Sequence, residues 1–445
     1  MHRLYYIYNK LKNRDFIFTI PLVLLALDKI VGHCLWLYHS GKGFPKSDDS
    51  QWYLDYANAL MTNFSIGLHM NDLMYLGYNI LLTLLLALFK DPVAIVFVQA
   101  VTAGLSVILV FKISRMLFNR LTAIIASYFY YSAYDITLWT TYILSDSFFI
   151  SLLLLCIYFL LKVFESNKKL YKVLFALTSL YMVVFRPTGV ITIAFIIIYI
   201  LIRMHHKTIF GFIKRYRFAL GGVVTTLAAI GVYLLVVGKL DPLITSLQFN
   251  AKMVLYNIYA KGWIYDKSTP YDHYYRPDYT INIFNSLILS FLVNNWDDVS
   301  ILYAKRVLAF MGRWVWTTDL TSLLGVVKFI KESMPVLLFL AGTAAAVVNG
   351  VFRRASVIWL IILAVFVFCI LLFIDAMYRY RAPAVPFIAI AAAYGADQII
   401  KGGIALIRRY GADKIIELAI ITAKKQTGKL SRYGKRKSID SDSGF

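Results

Sequence analysis

The sequence predicts an all-α polytopic membrane protein with about ten or more helices. Of its 445 residues, 60% are hydrophobic and only 16% are charged. Apolar runs such as IFTIPLVLLALDKIVGHCLWLY and VIWLIILAVFVFCILLFI are long enough to cross a hydrocarbon core of roughly 30 Å, which takes about 20 helical residues. No strand-like alternation recurs along the chain, which argues against a membrane barrel.

The basic residues set the expected orientation in the membrane. The net charge is +22, but the lysines and arginines gather at the ends of apolar runs, which is the pattern of cytoplasmic loops rather than of a nucleic-acid surface. Both termini are therefore expected in the cytoplasm, and no nucleic-acid partner is expected. The basic clusters are Arg3–Arg14, Lys112–Arg120, Lys162–Lys172, Arg203–Arg217, Arg353 with Arg354, and the tail after Lys401.

Ten spans follow from this orientation. The short apolar run Tyr75–Phe89 is predicted as an interfacial or re-entrant helix, because a full span there would invert every later basic loop. The ten predicted spans lie near 16–38, 93–114, 121–140, 147–164, 170–185, 189–203, 218–238, 334–350, 356–375 and 383–400.

The predicted organisation has four parts. They are an N-terminal transmembrane module, 1–238, with a first external loop, 39–92; an external loop or lid, 239–333; C-terminal transmembrane helices, 334–400; and a basic cytoplasmic tail, 401–445. The last stretch of the tail is expected to be disordered and drawn to anionic lipid headgroups.

An acidic cluster in the first external loop is the first candidate site. In SDDSQWYLDYA, Asp49 has Tyr53 at helical spacing, and Trp52 and Tyr53 are expected to wall the carboxylate. Asp49, or its neighbour Asp48, is a candidate general base. The alternative interpretation is a helix N-cap formed by Ser47, Asp48 or Asp49. The two interpretations are compatible.

Four further residues carry charge at the external ends of predicted helices. Asp146, in ILSDSFFI, is expected as an N-cap unless it has a site role. Arg186, in FRPTG, is expected either to snorkel to the headgroups or to bind an anionic ligand. Arg379 and Arg381, in YRYRAPAVPF, stand on the less positive side of the membrane, where a lipid phosphate would account for them.

The order of these motifs resembles the GT-C superfamily of membrane glycosyltransferases. The similar branch contains the protein O-mannosyltransferases and the bacterial aminoarabinose transferase. The resemblance rests on DSQWYLDYA, on the helix pair leading to TTYILSDS, on FRPTG and on RYRAPAVPF, and it covers 45–205 and 375–400. Two departures are visible: the family commonly has Glu where this chain has Asp146, and the first-loop acid is ambiguous by one residue. Asp49 is favoured because it keeps the spacing to Tyr53 and Ala57.

The resemblance implies a GT-C-like transmembrane helical bundle and an inverting glycosyltransferase. The implied donor is a sugar on a polyprenyl phosphate, and the implied acceptor is a glycan, a lipid or a protein. Asp49 would act as base, and Arg379, Arg381 and Arg186 would bind the carrier phosphate. Asp146 would position the acceptor, orient an arginine or help to hold a divalent metal, although no obligatory metal is expected.

Aromatic side chains complete the predicted site, and the membrane gives it a location. Trp52, Tyr53 and Tyr378 are candidate substrate-pocket residues. The site is expected on the external or periplasmic side of the plasma (inner) membrane. Two other functions stay open: a polysaccharide polymerase or ligase that uses a polyprenyl-diphosphate glycan, and a transporter or flippase for a lipid-linked sugar.

Overall fold

The protein has an all-α architecture in a computed structural model, as the sequence predicts. No strand occurs among the residues that the structure describes. The basic N-terminal cluster before residue 14 and the tail after residue 410 lie outside the described residues. The described ranges are 14–64, 73–166, 168–204, 206–253, 261–264, 268–314, 319–372 and 377–410.

The helices occur at every predicted position, and several begin at recognisable caps. Ser47 accepts a hydrogen bond from the Ser50 amide at 3.2 Å, and Asp91 accepts one from the Val93 amide at 2.9 Å. The helices of the N-terminal half are α1 (Phe16–His39), α2 (Asp48–Asn63), α3 (Leu76–Phe89), α4 (Pro92–Leu105), α5 (Val107–Leu117), α6 (Arg120–Ser132), α7 (Tyr134–Trp139), α8 (Ser145–Ser166), α9 (Lys169–Phe185) and α10 (Pro187–Arg203).

The C-terminal half contains helices of 5 to 31 residues and an irregular region over 268–286. These helices are α11 (His206–Val236), α12 (Asp241–Met253), α13 (Leu287–Asn294), α14 (Trp296–Phe310), α15 (Leu323–Val348), α16 (Phe352–Val367) and α17 (Met377–Arg381), and residues 385–395 are also helical. Two predicted starts are wrong. The helix predicted from 218 begins at His206, and the helix predicted from 334 begins at Leu323, where the Ser322 hydroxyl accepts from the Gly325 amide at 3.0 Å.

Within the described ranges, five helical segments are long and apolar enough to cross a membrane. Others, such as Leu73–Phe89 and Pro187–Arg203, are shorter apolar helices, so the number of crossings remains a prediction. The five candidate spans are Phe16–His39, Pro92–Leu117, Ser145–Ser166, Phe352–Ile370 and Tyr378–Tyr410.

One face of α1 packs against the bundle and the other is exposed. Its buried side chains, Leu22, Ala26, Ile30 and Cys34, recur every four residues and form one stripe. That stripe packs against α4 and α6. Large apolar side chains such as Leu24 on the other face are exposed. This arrangement suits a helix whose outer face contacts lipid rather than water.

Helix α8 lies at the centre of the bundle and carries the first site residue. It packs against α4, α5 and α9. Most of its N-terminal half is buried, including Ser145, Asp146 and Phe149. The helix ends around it therefore converge on a buried polar centre.

Glycines let two helices of the C-terminal half approach each other closely. A Cβ at Gly342 would lie 2.0 Å from the carbonyl oxygen of Ala391, and one at Gly395 would lie 2.1 Å from that of Leu338. Because no side chain fits there, α15 packs directly against the helix over 385–395. This contact fixes the helix that follows Arg379 and Arg381.

The chain divides into two compact units, Met1–Gly395 and Ala396–Phe445. In the second unit, residues 396–410 are helical, and the Lys401 ammonium lies 2.8 Å from the Asp397 carboxylate. The described part of the predicted tail is thus a helix.

Candidate active site

Asp146 is the centre of a buried ion-pair network. It lies in the first turn of α8 and is fully buried. Its Oδ1 accepts a short hydrogen bond from Nη1 of Arg186, and its Oδ2 accepts one from Nε of Arg379 at 3.0 Å. A buried carboxylate requires such partners, because burying an unpaired ion costs on the order of several kcal/mol. The sequence favoured an N-cap at this position, but both carboxylate oxygens instead bind arginines.

Arg186 is held behind Asp146 by the turn between α9 and α10. Its backbone is extended, with φ −164° and ψ 146°, and Pro187 begins the next helix. Gly189 makes the turn possible, because a Cβ there would lie 2.0 Å from the carbonyl oxygen of Met182. This turn carries the guanidinium directly into the protein core.

The snorkelling interpretation of Arg186 is therefore wrong. The side chain is fully buried, and its Cζ lies 5.1 Å from the ring centroid of Tyr380 and 5.9 Å from that of Phe149. The attraction of the buried Asp146 outweighs the access to headgroups that the sequence suggested. Its Nε and Nη2 have no hydrogen-bond partner among the described residues.

Arg379 connects the buried centre to the first external loop. Besides the bond to Asp146, its Nη1 donates a short hydrogen bond to Oδ2 of Asp49. The Asp49 side chain is 50% exposed, whereas that of Arg379 is 11% exposed. Asp48 is also exposed but has no contact with this network. The structure thus brings Asp49, and not Asp48, to the cluster.

The capping interpretation of the acidic loop also holds. Ser47 is the N-cap of α2, and Asp48 and Asp49 occupy its first turn. Asp49 therefore benefits from the positive end of the helix dipole while it pairs with Arg379. The two interpretations of this stretch are compatible, as expected.

A second ion-pair group, which the sequence analysis missed in part, surrounds Arg381. Its Nη1 donates to Oδ2 of Asp135 at 2.7 Å, and its other nitrogens donate to the carbonyls of Phe310 and Met311. Oδ1 of Asp135 accepts from Nε of Arg313 at 3.0 Å. Asp135 is buried, while 28% of the Arg313 side chain is exposed.

One of these missed residues had a signal in the sequence. Asp135 lies inside a predicted membrane span, where an unpaired acid is costly and is by default a functional candidate. Arg313 lies in the region with no recognisable motif, and only the fold brings it to Asp135. Tyr378, a predicted pocket residue, lies against this arginine, with its ring centroid 4.2 Å from the Arg313 Cζ.

Aromatic rings pack beneath the first-loop acid. The Tyr53 ring centroid lies 4.7 Å from that of Tyr78 and 5.5 Å from that of Tyr75. Trp52 covers them at 4.6 Å from Tyr53 and is itself partly exposed. Burial raises the pKa of Tyr53 well above its ordinary value, and Tyr75 adds to the shift, so the phenol keeps its proton at neutral pH.

The two groups together carry an excess of positive charge. Arg186, Arg313, Arg379 and Arg381 face three aspartates, Asp49, Asp135 and Asp146, which leaves one positive charge uncompensated. Such a site attracts an anion, and arginine forks suit phosphate oxygens. Among the described residues, no group of three or more His, Cys, Asp or Glu side chains is arranged to hold a metal.

A family model matches part of the chain. No curated protein matches the chain. Residues 76–235 match the model of the family described as dolichyl-phosphate-mannose-protein mannosyltransferase. That range includes Asp135, Asp146 and Arg186. The match confirms the resemblance over residues 76–235 and supports a membrane glycosyltransferase of the GT-C superfamily.

Proposed function

We propose that this protein transfers a sugar from a polyprenyl-phosphate carrier to an acceptor on the external face of the plasma membrane. One observation carries the proposal. Arg379 joins the half-exposed Asp49 to the fully buried Asp146, so a reactive carboxylate and a phosphate-binding cation stand side by side. The family match independently favours glycosyl transfer.

Asp49 is the proposed general base. Only its Oδ2 is bonded to Arg379, so Oδ1 is available to accept a proton from an acceptor hydroxyl or amine. The acceptor attacks the anomeric carbon from the side opposite the phosphate. As the new bond forms, the bond from that carbon to the phosphate oxygen breaks, the electron pair leaves on the polyprenyl phosphate, and the sugar configuration inverts.

The arginines are proposed to stabilise the leaving phosphate. Arg379 stands beside Asp49, and Arg381 and Arg313 add charge from the second group. Because carbonyls and carboxylates already orient these guanidinium groups, little reorganisation is needed when charge develops on the leaving oxygen. Arg186 is fully buried, so we assign it to holding Asp146 rather than to direct contact with the phosphate.

Asp146 is proposed as a positioning residue. Both of its oxygens accept from arginines, which favours the orienting role over acceptor binding or metal ligation. Trp52 is the proposed wall for the sugar, because it is partly exposed and packs beside Tyr53.

Release of the carrier tests the donor class. Purified protein in bilayer nanodiscs is supplied with a panel of polyprenyl-phosphate sugars and with membrane glycan, lipid and protein as acceptors. We expect acceptor-dependent release of polyprenyl monophosphate from at least one donor. Release of polyprenyl diphosphate from a diphosphate-linked glycan would instead favour the polymerase or ligase. Movement of a donor across the bilayer without cleavage would favour the transporter.

A further inference from the structure

A polar cavity lies at the ends of the helices remote from Asp146. Its volume is about 190 Å³, and it is lined by the end of α5, the end of α8, the end of α10 and the start of α16. Helix α8 has 22 residues, and at about 1.5 Å per residue it is roughly 33 Å long. The cavity and the candidate active site therefore lie near opposite ends of α8, whose length is close to the thickness of a hydrocarbon core, roughly 30 Å.

The cavity is lined by two arginines from different helices. Arg203 ends α10, and its Cζ lies 5.3 Å from the ring centroid of Phe164. The Nε of Arg203 is buried and has no hydrogen-bond partner within the described ranges. A buried guanidinium nitrogen that lacks a hydrogen-bond acceptor destabilises the folded protein. A ligand oxygen that accepts a hydrogen bond from this nitrogen would satisfy it.

The other polar groups around the cavity are already engaged. Arg354 donates to the carbonyl of Met116, and the Tyr199 hydroxyl donates to the carbonyl of Arg354 at 3.0 Å. Glu165, the one acid in the lining, lies 2.5 Å from the ammonium of Lys162. The carboxylate is thus neutralised by a lysine, and the two arginines keep their charge for a ligand.

We propose that this cavity binds the phosphate of an anionic phospholipid headgroup. Arginine forks form charge-assisted hydrogen bonds with phosphate oxygens, and basic pockets between membrane helices are suited to such headgroups. The volume has room for several water molecules and so for a phosphate group.

The bound phosphate would tie α10 to α16. Arg203 belongs to α10 and Arg354 to α16, so one ligand bridges the two helices. Helix α10 also begins directly after Arg186, which places the lipid site and the site arginine at its two ends. Binding is therefore expected to raise the thermal stability of the whole protein.

Native mass spectrometry and thermal unfolding of the full chain test this site. In nanodiscs, phosphatidylglycerol is compared with phosphatidylcholine, and inorganic phosphate is tested separately in detergent. We expect retained phosphatidylglycerol and a raised Tm, with binding about tenfold weaker in Arg203→Gln. Arg353→Gln is the matched control: it removes the same charge one residue from Arg354, but Arg353 donates to the Ile202 carbonyl and does not line the cavity.

Each outcome decides the proposal. Equal loss of phosphatidylglycerol in both variants would show general attraction to a basic surface and would overturn the site. Equal binding of phosphatidylcholine would overturn the requirement for an anion. Arg203-dependent protection by inorganic phosphate alone would overturn the lipid as the source of the phosphate. If Arg203→Gln does not fold, Arg203→Lys, which keeps the charge but loses the fork, should bind phosphatidylglycerol more weakly than wild type, and unchanged binding would overturn the site.

Discussion

Replacing Asp146 with asparagine is the sharpest test of the buried network. The substitution removes the negative charge that holds two arginines. Arg379 keeps Asp49 as a partner, but Arg186 is fully buried and loses its only ion pair among the described residues. Breaking a buried pair in this way costs about 3–5 kcal/mol, because an uncompensated charge stays in the core. We therefore expect the free energy of unfolding to fall by about 3–5 kcal/mol.

The assay is reversible unfolding in mixed micelles, followed by tryptophan fluorescence as the denaturing detergent is increased. Asp48→Asn is the matched control, since it makes the same chemical change at an exposed carboxylate outside the network. We expect Asp48→Asn to lower the free energy of unfolding by less than about 1 kcal/mol, because only its interaction with the helix dipole is lost.

A double substitution separates the ion pair from general disruption. When Arg186→Met accompanies Asp146→Asn, the stranded charge is gone, so the double variant should lose less stability than the sum of the two single losses. A coupling of about 0.5–3 kcal/mol is expected for groups in direct contact. Strictly additive losses, or an Asp146→Asn protein as stable as Asp48→Asn, would show that Asp146 does not stabilise the protein through its ion pair with Arg186.

Two further substitutions test the geometry around the network. Arg313→Gln should lower transfer about tenfold or more while the protein stays folded, because it removes a partly exposed phosphate-binding cation; unchanged steady-state transfer would remove Arg313 from the site. Gly189→Ala should lower the Tm and the activity together, because its Cβ would collide with the Met182 carbonyl and displace Arg186. Gly32→Ala in α1, where nothing lies within 4 Å of the added Cβ, is the control and should be neutral or slightly stabilising.

The positions of the helices could be predicted because hydropathy and charge act locally. Long apolar runs must form helices in a membrane, and basic clusters mark their ends, so α1, α8 and α16 were expected close to where they lie. The starts of α11 and α15 were missed because basic and polar residues extend these helices beyond their apolar cores.

The partners of the charged side chains could not be predicted in the same way. Asp146 and Arg379 are more than two hundred residues apart in sequence, and no local pattern specifies that they meet. An isolated arginine at a turn suggests snorkelling, and only the packing of α9 and α10 reveals that Arg186 is buried. Asp135 was detectable as an acid inside an apolar segment, whereas Arg313 required the fold.

One comparison of reaction rates tests directly whether Asp49 is the general base. The rate of polyprenyl monophosphate release is measured for wild type, Asp49→Asn and Asp48→Asn under the same donor and acceptor conditions. Removing a general base costs about 10²–10⁴-fold in rate. We expect such a loss for folded Asp49→Asn and a near-normal rate for Asp48→Asn. Equal rates for all three proteins, or a loss confined to Asp48→Asn, would contradict this role of Asp49.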